Sequence, residues 1–134
     1  MSMLYPDLSY NVIGAALAVH NELGCGFMEK VYQEALAIEL SERNIPFERE
    51  KPLLINYHGH TLQCPYIADF IVDNKIILEL KALSNMDLGL VRAQLLNYLK
   101  ATHLQLGIIL NFGEKSLFKD RLVNFDDYNK STNH

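Results

Sequence analysis

Two charged side chains lie two residues apart within the apolar segment Ile76–Lys81. If this segment is a strand, its period of two places Glu79 and Lys81 on one face and the apolar side chains on the other. A charged pair in such a strand is costly unless a partner, a metal ion or water compensates it. The preceding apolar segment offers a partner in Asp69. These three residues are therefore the first candidates for chemistry.

Carboxylates are the ligands that hard divalent cations prefer, so Asp69 and Glu79 would suit Mg²⁺ or Mn²⁺. We also expect Leu80, which lies between Glu79 and Lys81, at the metal site. A bound metal lowers the pKa of its water and polarises a phosphate. Lys81 would orient the nucleophile or stabilise charge that develops in the transition state. The residues together predict a site that cleaves phosphodiester bonds.

The loop Asp73–Lys75 decides whether Asp69 and Glu79 share a face. A two-residue turn would pair Asp69 with Leu78, which places the two carboxylates on opposite faces. A three-residue loop, with one of its last two residues in the left-handed region, pairs Asp69 with Glu79, and a bulge would do the same. We predict one of these two arrangements.

The elements that must position these residues follow from the apolar pattern. Helical spacing predicts three helices, over Leu8–Leu23, Met28–Arg43 and Asp87–Ala101. Short apolar runs between turn residues predict four strands, over Leu53–Tyr57, Tyr66–Val72, Ile76–Lys81 and Leu106–Leu110. The order of helices, antiparallel meander, helix and strand indicates a mixed α/β domain of the α+β type.

The composition indicates one folded domain. A chain of 134 residues with 49% hydrophobic residues can bury one core but is short for two. We expect a domain over residues 1–128 and a disordered tail over 129–134. The apolar run Val12–Val19 is too short to span a bilayer, so we expect no membrane association. Cys25 and Cys64 form no CxxC pattern, which favours a reducing, cytoplasmic setting.

The charge balance bears on nucleic acid as a partner. The formal net charge is −4, which counts against strong nonspecific binding, because such binding rests on Lys and Arg neutralising phosphates. Lys115, Lys119 and Arg121 lie close together near the C-terminus, where they either face a nucleic acid backbone or form a solvated basic surface.

Several separate motifs, in order, resemble those of the GxxExxY proteins, which are placed in the PD-(D/E)xK nuclease superfamily. They stand here at Gly26–Tyr32, Tyr66–Phe70, Glu79–Lys81, Gln94–Leu99 and Asn111–Phe112. The resemblance covers nearly the whole chain. It implies a restriction-endonuclease-like core with the order helix, three antiparallel strands, helix and strand, which agrees with the order read from the apolar pattern.

The resemblance also implies roles for individual residues. Asp69 and Glu79 would bind Mg²⁺ or Mn²⁺, Lys81 would serve catalysis, and Glu29 would complete the site from a core helix. A carboxylate at the position of Glu29 also has a structural explanation, because the first turn of a helix favours negative charge. Tyr32, three residues further on, would lie on the same helix face and buttress Glu29.

Gln94 and Tyr98 are four residues apart on the third predicted helix, so both can face the sheet. In one interpretation Gln94 satisfies the hydroxyl of a core tyrosine. In the other it hydrogen-bonds a metal-bound water or the lysine, as polar residues on that helix do in similar nucleases.

Three hypotheses stay open from the sequence. The first is a metal-dependent nuclease acting on DNA or RNA, and the second is a binding or regulatory module that keeps the fold and the metal but does not cleave. In the third, Glu79 and Lys81 belong to a buried salt-bridge network without metal or substrate. Small nucleases of this type often pair so that two sites face two strands, and a homodimer is the expected assembly if the chain associates.

Overall fold

The computed structural model of the chain describes residues 4–125. Its helices are α1 (Pro6–Leu23), α2 (Glu29–Glu42) and α3 (Leu88–Thr102). Its strands are β1 (Phe47–Leu53), β2 (Asn56–Tyr57), β3 (His60–Thr61), β4 (Tyr66–Val72), β5 (Ile76–Lys81), β6 (Leu106–Asn111) and β7 (Phe118–Val123). The predicted tail, residues 129–134, lies outside the described range, as do both ends of the predicted domain, residues 1–128.

Five of the strands form one mixed sheet in the order β1-β4-β5-β6-β7. Strands β1, β4 and β5 are antiparallel neighbours, β5 and β6 are parallel, and β7 is antiparallel to β6. A parallel pair needs a long crossover connection, which α3 provides between β5 and β6. The predicted α+β architecture, with its meander, helix and further strand, is confirmed.

The sheet carries helices on both faces. Phe70, Leu78 and Leu110 lie on the face that packs with α1 and α2. Ile77 and Ile109 lie on the face that packs with α3. This alternation along β5 is the period-two pattern expected of a strand. It places Glu79 and Lys81 on one face, as predicted, and this face is the α3 side of the sheet.

The loop after β4 has the predicted geometry. Val72 pairs with Ile76, so residues 73–75 form a three-residue loop that is closed by a 2.9 Å hydrogen bond from Lys75 N to Val72 O. Asn74 has a φ of 54° and Asp73 a φ of 51°, and both residue types tolerate the left-handed region. This register places the end of the regular pairing, Phe70 with Leu78, next to Asp69 and Glu79.

The predicted first strand, Leu53–Tyr57, is wrong. The strand in that region is β1, which ends at Leu53, and Asn56–Thr61 forms the separate hairpin β2–β3. Pro52 was interpreted as a turn residue, but it pairs with Ile67 within β1. Strand β1 is at the edge of the sheet, where a residue without an N–H is tolerated.

The strand β7 was not predicted, because its charged residues were interpreted only as part of a basic surface. Arg121 pairs with Ile108 in the sheet, and its Nη2 donates a 2.6 Å hydrogen bond to the carbonyl of Leu4. Burial lowers the pKa of Arg121. This side chain therefore ties the sheet to the start of α1, while Lys115 and Lys119 are exposed.

A close main-chain contact fixes the segment that follows Lys81. Phe112 N donates to Lys81 O at 2.8 Å, and the buried Asn111 side chain accepts from Leu83 N and Gly113 N, each at 3.0 Å. Asn111 also donates to Leu83 O at 2.9 Å. A Cβ atom at Gly113 would overlap the main chain of Leu83. The ends of β5 and β6 are therefore held together beside Lys81.

No helix within residues 4–125 is long and apolar enough to cross a membrane.

We expect Gly113→Ala to lower the free energy of unfolding by about 2 kcal/mol or more, because the overlap is with main-chain atoms that cannot rotate away. Gly89→Ala is the matched control, since its added Cβ would meet only the Asp87 carboxylate at an ordinary 3.7 Å. Urea denaturation of both variants tests the contact. Equal stabilities for the two variants would contradict it.

Candidate active site

Asp69 and Glu79 lie on the neighbouring strands β4 and β5. The regular ladder between the two strands ends at Phe70 and Leu78, each of which adjoins one of the two carboxylates in sequence, and the charge of Asp69 raises the pKa of Glu79. Asp69 Oδ2 accepts a 2.8 Å hydrogen bond from the main-chain N–H of Leu80. The carboxylate of Asp69 is therefore fixed against the strand that carries Glu79 and Lys81.

Strand β4 changes face at Asp69. Ala68 packs with the α3 side of the sheet and Phe70 with the α1 and α2 side, although residues two apart in a regular strand share a face. On β1, Glu50 is missing from the otherwise continuous ladder with β4 and has a φ of 48°. This irregularity brings Tyr66, three residues before Asp69, to the same side as Glu79.

Glu79 is held by Tyr66, whose hydroxyl donates a 2.8 Å hydrogen bond to Glu79 Oε2. The Tyr66 ring stacks on Tyr98, with 3.6 Å between centroids and 7° between planes. Burial and, to a smaller extent, the charge of Asp69 raise the pKa of Glu79 to about 7, although the Tyr66 hydrogen bond and the charge of Lys81 lower it. Burial and the charge of Glu79 raise the pKa of Tyr66, which keeps its hydroxyl a donor.

Lys81 is half-buried beside these carboxylates. Its charge lowers the pKa of both Glu29 and Glu79. Within residues 4–125, no carboxylate lies within ion-pair distance of its amine. The carboxylates are held by neutral donors instead, so the site does not have the geometry of a salt-bridge network.

Glu29 is the first residue of α2, as expected from the sequence motif. Desolvation and the charge of Asp69 raise the pKa of Glu29, while Lys81 and Lys30 lower it. The hydrogen bond from Gln33, one turn further along α2, to Asp69 places this end of α2 beside β4. Glu29 therefore belongs to the same group of charges as Asp69 and Lys81.

Tyr32 was expected to buttress Glu29, but its contacts are with the preceding loop. The buried Tyr32 hydroxyl donates to Gly24 O at 2.6 Å and accepts from Phe27 N at 3.3 Å. Its ring stacks on Phe112, 4.7 Å away. Tyr32 thus fixes the loop from which α2 starts, and its effect on Glu29 is indirect.

Gln94 and Tyr98 have different environments, although they share one side of α3. Tyr98 stacks on Tyr66, whereas Gln94 is exposed. In the part of the chain that the structure describes, no hydrogen bond joins Gln94 to Tyr98. A bond from Gln94 to Lys81 or to a metal-bound water stays a prediction.

Two residues that the sequence did not single out, Gln33 and Arg49, reach the site. Gln33 is buried, and its Nε2 donates to Asp69 Oδ1 at 3.4 Å. Arg49 Nη2 donates to Gln33 Oε1 at 3.0 Å. The signal for Gln33 was its position four residues after Glu29, on the same face of α2. Arg49 had no signal, because strand β1 was misplaced.

The donor set fits a divalent cation that is shared with substrate. Within residues 4–125, no three His, Cys, Asp or Glu side chains form a group that could hold a metal by themselves. Mg²⁺ usually binds through one or two carboxylates together with water and phosphate oxygens. Asp69 and Glu79, whose proximity raises the pKa of Glu79, fit that pattern. Leu80 has a buried apolar side chain, so only its main chain can take part.

The raised pKa of Glu79 predicts a pH dependence of stability. Because the folded-state pKa is about 7 and the ordinary value is 4.5, the folded chain binds this proton more tightly than the unfolded chain. The contribution is complete below the ordinary pKa and is lost as pH rises towards the folded pKa. In metal-free buffer, we expect the unfolding free energy to fall between pH 5 and pH 8 more in the wild type than in Glu79→Gln.

Urea denaturation at the two pH values measures this difference. Tyr66→Phe is the companion variant, because it removes the donor that lowers the pKa of Glu79 and should make the fall steeper. The account is contradicted if wild type and Glu79→Gln change equally with pH.

Comparisons with known proteins agree with this fold. The chain is similar to a solved structure described as SSO0001, with 21% identity and a TM-score of 0.54, over 96% of this chain and 64% of that one. It is similar to an alkaline exonuclease, LHK-Exo from Laribacter hongkongensis, with 12% identity and a TM-score of 0.51, over 99% of this chain and 77% of that one. No curated protein sequence matches the chain.

Both similarities to solved structures concern the fold alone. This chain covers 64% of the length of SSO0001, which is therefore the longer protein of that pair. The family follows from the sequence itself. A family model described as the PD-(D/E)XK nuclease superfamily matches residues 6–128, which is most of the chain. The chain therefore belongs to the PD-(D/E)XK nuclease superfamily.

Proposed function

We propose that the chain is a nuclease that hydrolyses phosphodiester bonds of DNA or RNA with Mg²⁺ or Mn²⁺, and that it is a GxxExxY protein within its superfamily. The observation that carries this proposal is that Asp69, bonded to Leu80 N, lies close to Glu79, with the amine of Lys81 near them and engaged in no ion pair with a described residue. Membership of a nuclease superfamily supports it.

Each residue has a distinct part in the proposed reaction. Asp69 and Glu79 would hold the cation through carboxylate oxygens, and Leu80 would contribute main-chain atoms. A divalent cation at this place would supply a more acidic water and polarise the scissile phosphate. Lys81 would donate to a phosphate oxygen or orient the attacking water, since its amine is not committed to a described carboxylate.

The remaining residues would shape and complete the site. Glu29 would add a carboxylate from the first turn of α2, where the charges of Asp69 and Lys81 already reach it. Tyr66 would hold Glu79 through its hydroxyl, with its ring supported by the stack on Tyr98. Gln94 would donate towards the substrate from the rim of the site.

The net charge favours a second candidate function, a binding or regulatory module that keeps the fold and the metal but does not cleave. A chain with a charge of −4 gains little from nonspecific phosphate contacts. The two candidates share the metal site and differ only in turnover. A cleavage assay therefore distinguishes them.

We propose that residues 1–128 act as one domain, that the protein works in the cytoplasm, and that it pairs as a homodimer. The exposed, unpaired thiols of Cys25 and Cys64 support a reducing compartment. Pairing would let two sites face two strands. Sedimentation equilibrium of the purified chain measures the assembly.

Single- and double-stranded DNA and RNA, incubated with Mn²⁺, test the proposed activity. We expect the wild type to cleave at least one substrate, and Asp69→Asn to lose both cleavage and the Mn²⁺ binding measured by calorimetry. Lys81→Met should keep Mn²⁺ binding but cleave at least about 100-fold more slowly, because it removes a donor to the transition state.

Asp73→Asn is the matched control for Asp69→Asn, since Asp73 lies in the loop after β4 and asparagine tolerates its left-handed conformation. Lys100→Met is the control for Lys81→Met, because Lys100 is exposed near the end of α3. Mn²⁺ binding without cleavage of any substrate would favour the non-cleaving module. Absence of Mn²⁺ binding as well would contradict both candidates.

A further inference from the structure

Gln33 is a buried amide that lies between two charged side chains. Its exposed fraction is 4%, its Nε2 donates to Asp69 Oδ1 at 3.4 Å, and its Oε1 accepts from Arg49 Nη2 at 3.0 Å. Gln33 comes from α2, Asp69 from β4 and Arg49 from the edge strand β1. The amide therefore joins three elements at the candidate site.

The guanidinium of Arg49 determines which way this amide points. A guanidinium has donors and no acceptor, so the oxygen of Gln33 must face Arg49 and its NH₂ group must face Asp69. The reverse orientation would place two donors together at Arg49 and two acceptors together at Asp69, and it would leave buried polar atoms unpaired. Arg49 thus acts on Asp69 through Gln33, without an ion pair to Asp69.

The amide completes a pair of donors on the Asp69 carboxylate. Oδ2 accepts from the main-chain N–H of Leu80 at 2.8 Å, and Oδ1 accepts from Gln33. Two donors from different elements, one on each oxygen, fix the plane of the carboxylate. A carboxylate has about four lone-pair sites, so Asp69 keeps further sites that could bind a cation.

We propose that Gln33, oriented by Arg49, is a positioning residue that sets the carboxylate of Asp69 for metal binding. This inference rests on the proposed function, since it concerns the metal site of the same nuclease. Partners behind a metal ligand commonly change metal affinity by 10- to 100-fold when they are mutated. Gln33 and Arg49 should therefore affect Mn²⁺ affinity as one unit.

Calorimetric titration of Mn²⁺ into the full chain tests this, with melting temperatures measured in parallel. We expect Gln33→Met, which keeps the side-chain length but removes the donor, to weaken Mn²⁺ binding by roughly tenfold. Gln33→Glu should weaken it at least as much, because it keeps a partner for Arg49 but presents an acceptor to Asp69. Both variants should bind the same number of ions as the wild type.

The coupling between Gln33 and Arg49 separates positioning from a general loss of structure. Arg49→Met should weaken Mn²⁺ binding in the wild type but have little further effect in Gln33→Met, because residues in one network are not additive. Arg43→Met is the matched control, since Arg43 bonds Glu39 on its own helix, and it should bind Mn²⁺ like the wild type.

The inference is overturned if Gln33→Met binds Mn²⁺ as tightly as the wild type, or if Arg49→Met costs the same affinity in both backgrounds. In either case the wild type still binds the ion and the proposed function stands. A wild type that binds no Mn²⁺ and cleaves no nucleic acid would overturn the proposed function, and this inference with it.

Discussion

The hydrogen bond from the Leu80 N–H to the Asp69 carboxylate depends on the register between β4 and β5, and the site depends on that bond. A shift of one residue would send every side chain of one strand to the opposite face. The three-residue loop 73–75 sets the register, and the change of face at Asp69 then turns the start of β4 towards Glu79. The acidic residues meet because of these two local features.

The cost of placing these carboxylates together shows in the pKa of Glu79, which burial and Asp69 raise to about 7. The structure offsets this cost with neutral donors. Tyr66 donates to Glu79, while Leu80 and Gln33 donate to Asp69. Lys81 pairs with none of the described carboxylates, which is compatible with the part that we propose for its amine in a metal-assisted hydrolysis.

The parts of this arrangement that local pattern determines could be predicted from the sequence. The period of β5 placed Glu79 and Lys81 on one face, and the three-residue loop 73–75 was one of the two arrangements that we predicted. The contacts of Tyr66 and Gln33 could not be predicted in this way, because they join residues from different elements. The edge strands were the weakest part of the prediction, since Pro52 resembles a turn residue and the charges of β7 resemble a solvated surface.

A crystal structure of the protein with Mn²⁺, recorded at a wavelength where manganese scatters anomalously, tests the central claim most directly. The account predicts one anomalous peak within ligand distance of carboxylate oxygens of both Asp69 and Glu79, with the Lys81 amine nearby and the Tyr66 bond to Glu79 retained. A Mn²⁺-bound crystal whose peaks all lie away from Asp69 and Glu79 would contradict it.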